Sequence, residues 1–75
     1  MIRVLAFARY RERLGWQELE RPLPDPPTLA ALLADPRLAE LPKEALFAVN
    51  RTFATGEQVL ADGDEVAVMP PVSGG

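Results

Sequence analysis

The sequence contains no cysteine and no histidine among its 75 residues. Without cysteine, the chain cannot form a disulfide or use a thiolate as a nucleophile. Without histidine, it lacks the usual general base, and the two absences together exclude most zinc sites. Any reactive chemistry must therefore come from another kind of group.

Positive charge and long apolar runs are also scarce. The net charge is −3, so the chain as a whole does not attract a phosphate backbone, and we expect no nucleic-acid partner. Arg9, Arg11 and Arg13 form a small basic cluster, but Glu12 interrupts it, which is typical of a solvated surface. These charges also end the N-terminal apolar stretch too early for a signal peptide. No apolar run approaches the roughly 20 residues of a membrane-spanning helix, and we expect a cytoplasmic protein with no membrane partner.

Sites for phosphate and metal ions are missing from the sequence pattern. No glycine-rich G-x-x-x-x-G-K loop is present, so any nucleotide chemistry must be supplied by another protein. Asp62, Asp64 and Glu65 surround a tight turn, but no further oxygen ligands follow at the spacing of a cation site. We therefore predict turn residues here, with no metal and no bound cofactor.

The first part of the chain predicts a strand, a short helix and a weaker strand. Apolar residues alternate from Ile2 to Phe7, which is typical of a strand, and Leu5 and Phe7 make its second face partly apolar. Residues 8–14 permit a helical turn that Gly15 can end. A weaker strand is predicted over residues 16–23, where a group of prolines stops the sheet.

A leucine-rich helix is predicted next. Thr28 is a suitable N-cap, and three leucines share one helix face: Leu29, Leu32 and Leu33. Pro36 and Pro42 interrupt the pattern, so Leu38 and Leu41 are assigned to a second short turn on the same side. This helical region is expected to cover one face of a sheet.

The remaining residues predict strands again. The segment 46–50 is apolar, and a turn at Asn50 and Arg51 leads to a short return strand at 52–53. A turn at Gly63 leads to a last strand over 65–69. Since the first and last strands are the most apolar, we place them together at the centre, in parallel. Strands that bracket one main helical segment make a mixed α+β domain, the β-grasp or ubiquitin-like fold. We assign residues 1–69 to this domain and 70–75 to a flexible tail.

The tail is the part of the sequence that suits group-transfer chemistry. It consists of Pro70, Pro71, Val72, Ser73, Gly74 and Gly75. The prolines hold the backbone extended, while two terminal glycines leave the last carboxylate accessible from both sides. A carboxylate becomes an acyl donor once it attacks the α-phosphate of ATP, since AMP is then a good leaving group. We predict that Gly75 carries the chemistry and that the thin tail enters another protein's active site.

Phe53 and Met69 are apolar at positions assigned away from the helix-covered face. An exposed apolar pair near a functional tail is typical of a partner-binding patch. Periodicity alone supports equally well an interpretation in which both residues belong to the core.

Several segments together resemble the small subunit of molybdopterin synthase, a MoaD-type sulfur carrier. They are Phe7-Ala8 with Arg11-Glu12 and Gly15, the Ala48-Val49-Asn50 strand end, the run 60–67 around Asp62-Gly63-Asp64, and the end Pro70-Pro71-Val72-Ser73-Gly74-Gly75. The resemblance runs nearly the whole length of the chain. The departure is the segment 35–43, where many relatives carry a longer helix.

The resemblance implies three partners and a division of labour. An E1-like enzyme, which uses the ATP, adenylates Gly75; a sulfur-donor protein then converts it to a thiocarboxylate. With residues 70–74 inserted in the large synthase subunit, the carrier delivers sulfur to cyclic pyranopterin monophosphate. The small subunit itself is non-catalytic, and Phe53 and Met69 fall where the family contacts the large subunit.

Three alternatives share parts of this sequence pattern. A Gly-Gly terminus also occurs in sulfur carriers for tRNA thiolation or thiamin thiazole, and in ubiquitin-like modifiers that form isopeptide bonds with target lysines. A β-grasp module that only binds partners non-covalently would not need the tail at all.

Overall fold

The computed structural model describes residues 1–71, which form a five-stranded mixed sheet and two short helices. The elements, in chain order, are β1 (Ile2–Ala6), α1 (Arg9–Leu14), β2 (Glu18–Arg21), α2 (Leu29–Leu33), β3 (Leu46–Val49), β4 (Thr52–Phe53) and β5 (Glu65–Met69). The strand order across the sheet is β2-β1-β5-β3-β4. This arrangement confirms the predicted β-grasp architecture. The predicted tail residues Val72, Ser73, Gly74 and Gly75 lie outside the described residues.

The parallel pairing of β1 with β5 confirms the prediction made from their apolar character. Val4 lies opposite Val66 and Ala6 opposite Val68, and all four side chains are buried on the same face of the sheet. β3 runs antiparallel to β5, and β2 runs antiparallel to β1. Because side chains alternate along each strand, the odd-numbered residues of β1 and β5 point to the opposite face.

The buried face packs against the two helices and the turns that follow α2. The core that forms there consists of Ile2, Val4, Tyr10, Leu29, Leu32, Leu38, Ala45, Val49, Leu60, Val66 and Val68. The hydroxyl of Thr28 accepts a hydrogen bond from the Ala31 N–H at 3.2 Å, which confirms its role as N-cap. Gly15 ends α1 with a left-handed φ of 82°, as predicted.

One predicted element differs in length from the structure. The second strand is shorter than the predicted 16–23, because pairing with β1 begins at Glu18 and Pro22 ends it. The main helix, α2, ends before Pro36 as predicted, and residues 34–45 form turns that bury Leu38, which confirms its assignment to the same side.

Asp35 explains why the chain turns after α2. Its carboxylate accepts the Arg37 backbone N–H at 2.8 Å and pairs with the Arg21 guanidinium, with an Nη2–Oδ2 distance of 2.6 Å. The Arg37 N–H, followed by the Arg21 side chain, holds the pKa of Asp35 below its ordinary value of 3.8. The ion pair therefore ties this turn to the end of β2.

Among residues 1–71, neither helix has the length and apolar character of a membrane span.

Replacing Tyr10 by phenylalanine should leave the fold unchanged or stabilise it. The Tyr10 side chain is only 1% exposed, and its hydroxyl has no hydrogen-bond partner within residues 1–71. A buried hydroxyl without a partner is unfavourable by about 1–3 kcal/mol, so its removal should raise the free energy of unfolding by about 1 kcal/mol. Urea denaturation followed by circular dichroism measures this change. A loss of stability in Tyr10→Phe would show that the hydroxyl is bonded in solution.

Candidate functional site

The face of the sheet opposite the helices carries an apolar groove of about 420 Å³, which we call the open-face groove. Its lining comes from β1, β3, β4, β5 and the residues beside them: Arg3, Leu5, Phe7, Ala48, Arg51, Phe53, Glu65, Ala67 and Met69. The strand alternation accounts for this set, since Leu5, Ala67 and Met69 are the outward residues of two central strands. The groove is thus the side of the sheet that the helices leave uncovered.

Phe53 and Met69 both line this groove. Their position agrees with the interpretation that they lie on an exposed face, and not with the alternative that both belong to the core. Phe53 lies on the edge strand β4, opposite Ala48, and is 70% exposed. Met69 is half-buried at the end of β5, opposite Leu46. Neither residue belongs to the core cluster. Their contact with a partner protein stays a prediction.

Phe7 extends the groove beyond the predicted pair. It directly follows β1, its backbone N–H donates to the Val68 carbonyl at 3.0 Å, and its side chain is 46% exposed. The signal for this position was present in the sequence, because Leu5 and Phe7 make the second face of β1 apolar. A second apolar face is typical of a central strand covered on both sides, whereas here it borders the groove.

Within residues 1–71, three residues other than glycine have a positive φ, and each lies beside the open-face groove. Ala8, with φ of 53°, follows Phe7; Asn50 and Arg51, with φ of 49° and 71°, form the turn between β3 and β4. Such conformations are unfavourable for most residues with a side chain, less so for asparagine, and they occur often at functional positions. The strained backbone therefore clusters at the two places where the exposed phenylalanines Phe7 and Phe53 are presented.

Asn50 fastens the β3–β4 turn to the start of β5. Its side-chain amide donates to the Asp64 carboxylate and its side-chain carbonyl accepts the Glu65 backbone N–H, both at 3.0 Å. The Asp64 carboxylate also accepts the Ala61 N–H at 2.9 Å. This network explains why Asn50 and the Asp62-Gly63-Asp64 turn occur together in the sequence, a relation that spacing alone could not give.

The acidic turn has a structural role in the fold. The Ala61 N–H, followed by the Asn50 side chain, holds the pKa of Asp64 below its ordinary value of 3.8. Glu65 pairs instead with Arg3, with an Nη2–Oε2 distance of 3.0 Å. Within residues 1–71, no three acidic side chains are grouped so as to hold a metal ion.

Replacing Asp64 by asparagine should weaken the fold and reduce its sensitivity to acid. A carboxylate with a lowered pKa stabilises the folded state above its unfolded pKa, and this stabilisation is lost as the pH falls through the folded pKa. Asp64→Asn should therefore lower the free energy of unfolding by about 1–2 kcal/mol at neutral pH. Below pH 3.8 the difference from wild type should shrink. Urea titrations at neutral and acidic pH measure both effects, and an equal difference at each pH would contradict the assignment.

The tail leaves the sheet at the end of this groove. Met69 is the last residue of β5 and lines the groove, and half-buried Pro70 and Pro71 follow it directly. A protein that covers the groove would therefore also meet the base of the tail.

Comparison with known proteins identifies the sequence family. The ThiS family model matches residues 4–75. The molybdopterin synthase sulfur carrier subunit of Escherichia coli (strain K12) is 42% identical over 82 residues, covering 100% of both chains. The subunit of the same name from Chlamydomonas reinhardtii is 40% identical over 81 residues, covering 99% of this chain and 98% of that one.

Solved structures share the fold. Molybdopterin converting factor, subunit 1 from Pyrococcus furiosus has a TM-score of 0.83 at 28% identity, covering 95% of this chain and 97% of that one. Small archaeal modifier protein 1 of Haloferax volcanii has a TM-score of 0.67 at 26% identity, with coverage of 95% and 97%. A chain in the complex of subunits 1 and 2 of molybdopterin-converting factor from Helicobacter pylori has a TM-score of 0.66 at 22% identity, with coverage of 99% and 97%.

These matches agree with the resemblance noted from the sequence, because the family model and the two curated relatives extend over nearly the whole chain. The chain therefore belongs to the ThiS family and is a relative of the molybdopterin synthase sulfur carrier subunits.

Proposed function

We propose that this chain is a sulfur carrier in molybdenum cofactor biosynthesis and that Gly75 carries the sulfur. The observation that supports this most is the full-length similarity to curated sulfur carrier subunits of molybdopterin synthase. The Pro-Pro-Val-Ser-Gly-Gly sequence at residues 70–75 supports the assignment of the reactive atom. The sequence has neither cysteine nor histidine, the usual nucleophile and general base of acyl transfer, which also favours the terminal carboxylate.

The proposed cycle begins with activation of the Gly75 carboxylate. Activation is needed because the oxide of a free carboxylate is too poor a leaving group. One carboxylate oxygen attacks the α-phosphate of ATP and releases pyrophosphate, which leaves a glycyl adenylate. Sulfur at the oxidation level of sulfide, supplied by a donor protein, then displaces AMP from the glycyl adenylate and leaves a thiocarboxylate. The thiocarboxylate sulfur forms a bond to carbon of cyclic pyranopterin monophosphate, and water then cleaves the acyl–sulfur bond and returns Gly75 to its carboxylate. The chain has no phosphate-binding loop, so an E1-like enzyme must bind the ATP.

The large subunit of molybdopterin synthase is the partner that uses the thiocarboxylate. The relatives are named as subunits, which supports an assembly of this kind. In the proposed complex the open-face groove is covered by the large subunit, with Phe53 and Met69 as apolar contacts. Pro70, Pro71, Val72, Ser73 and Gly74 then lead Gly75 into the active site. The activating enzyme and the sulfur donor act with the carrier in the cytoplasm.

A second candidate function is covalent modification of other proteins. The fold similarity to small archaeal modifier protein 1 favours it, and an adenylated Gly75 could also be attacked by a lysine amine. The sequence identity to that protein is lower than to the curated carrier subunits, so we rank it second.

A deletion strain of the source organism separates these functions. Loss of the gene should abolish molybdopterin and all molybdoenzyme activity, while thiolated tRNA nucleosides and thiamin stay at wild-type levels. The wild-type gene on a plasmid should restore molybdopterin. Normal molybdopterin with missing thiolated nucleosides or thiamin would instead assign the sulfur to another acceptor. Covalent protein adducts that survive reducing, denaturing gels would support the modifier function.

A further inference from the structure

We infer that Arg51 is a specificity residue that binds a carboxylate on the protein covering the open-face groove. This inference rests on the proposed function, because it takes the large synthase subunit as that protein. It goes beyond the apolar contacts at Phe53 and Met69, because it adds an ion pair between Arg51 and an acidic side chain of the large subunit. Three observations carry it: the backbone conformation of Arg51, its position on the groove, and the charges around it.

The backbone conformation makes arginine an unfavourable choice for the turn itself. Asn50 and Arg51 both have positive φ, which is the pattern of a two-residue hairpin loop with a strong preference for Asn-Gly. Asparagine suits the first position and is held there by Asp64 and Glu65. Glycine would suit the second position best, because it has no Cβ to strain at a φ of 71°. This chain therefore has an arginine at a position where the turn itself favours glycine.

The position of Arg51 directs this side chain to the groove. Arg51 is exposed, contributes to the groove lining, and lies two residues from Phe53 along the same hairpin. Because Asn50 is hydrogen-bonded to the start of β5, the turn is held at a fixed place on the rim. A guanidinium on such a rim can bind a carboxylate with two parallel hydrogen bonds.

The charges on the rim leave Arg51 as the uncompensated group. Arg3 is neutralised by Glu65 at 3.0 Å and lies 3.9 Å from Glu18. The ion pairs within residues 1–71 do not include Arg51. The groove thus carries local positive charge on a chain whose net charge is −3. The complementary partner surface is apolar at its centre and carries an aspartate or glutamate opposite the β3–β4 turn.

Two Arg51 variants test this inference by combining stability with binding. Arg51→Gly should raise the melting temperature by on the order of 4 °C, since it relieves a strained turn. At low salt it should weaken binding to the organism's own large synthase subunit by about tenfold, and Arg51→Glu by about 50-fold. Both losses should shrink at high salt, because screening weakens the wild-type contact. Arg37→Glu is the matched control: it reverses the charge of an exposed arginine on the helix-covered side and should bind as wild type.

The outcomes separate this inference from the proposed function. Wild-type affinity in both Arg51 variants, or an equal loss in Arg37→Glu, would overturn the inference while leaving the sulfur-carrier function intact. A lower melting temperature in Arg51→Gly would remove the evidence for strain and overturn it as well. If the wild-type chain does not bind the large subunit at all, the proposed function fails, and the inference fails with it.

Discussion

Removal of Gly75 should abolish molybdopterin synthesis without affecting the fold. The proposed reactive atom is the carboxylate of Gly75, and shortening the tail by one residue draws the new terminus back by about 3.5 Å. Misplacement of a reacting group by about 1 Å already lowers rates by about 100-fold, so the activity should fall to background. The measurement is molybdoenzyme activity in the deletion strain carrying the truncated gene.

The matched control for this truncation is Ser73→Ala, which preserves the tail length and both glycines. It should restore most of the molybdoenzyme activity, because a hydroxyl is not required by the proposed chemistry. Both variants should have wild-type melting temperatures, since the described core lies within residues 2–68. Full activity without Gly75 would contradict the assignment of the reactive atom.

Replacing Phe53 by aspartate should have the second largest effect, through loss of partner binding. Phe53 is 70% exposed and lies on the edge of the open-face groove, so the aspartate is solvated in the free protein and the fold should persist. In the complex the same carboxylate would be buried against an apolar surface without a partner. Aromatic residues that dominate a protein interface are worth about 2–4 kcal/mol, so binding to the large subunit should weaken by about 30-fold to 1,000-fold.

Val59→Asp is a close control for this change. Val59 is 64% exposed, and it forms an isolated bridge with Thr28, the residue that caps α2. It is absent from the lining of the open-face groove. The substitution introduces the same charge at an equally exposed apolar side chain, and it should leave the affinity within about threefold of wild type. Calorimetric titration of each variant with the large subunit measures the difference. Similar losses in both variants would show that the groove is not the contact surface.

Local sequence patterns were sufficient to predict most of the sheet. The alternation of apolar side chains predicted β1 and β5. Because both strands are strongly apolar, they were predicted to pair in parallel at the centre, and the structure confirms this pairing. Proline and glycine signals were equally direct, since β2 ends before Pro22 and Gly15 ends α1. These features depend on neighbours in the chain, and for that reason they are visible in the sequence.

Features that depend on distant residues could not be predicted in the same way. Leu38 was assigned correctly to a turn on the helix side, but the ion pair between Arg21 and Asp35 that ties this turn to the end of β2 joins residues 14 positions apart. The amide of Asn50 meets the carboxylate of Asp64 only after β3 and β5 have paired. The φ of Arg51 likewise follows from hairpin geometry.

The residues of the candidate site also fall into those that the sequence predicted and those that it did not. Phe53 and Met69 were predicted to lie away from the helix-covered face, and the structure places them there. Periodicity could not decide between core and surface, since an outward residue is exposed only if no other element covers that face. Phe7 and Arg51 were not predicted as site residues: the apolar second face of β1 indicated Phe7 only as part of a central strand, and the placement of Arg51 depends on the hairpin turn.

The central claim is that Gly75 carries sulfur, and intact-mass analysis of the protein purified from its native cell tests it most directly. We predict a fraction heavier than the unmodified chain by the mass difference between one sulfur and one oxygen atom. Fragmentation should place the added mass on Gly75, and a thiol-reactive alkylating agent should shift the same fraction. The fraction should disappear in the absence of the activating enzyme. A single unmodified mass, in cells that are actively making molybdopterin, would contradict the claim.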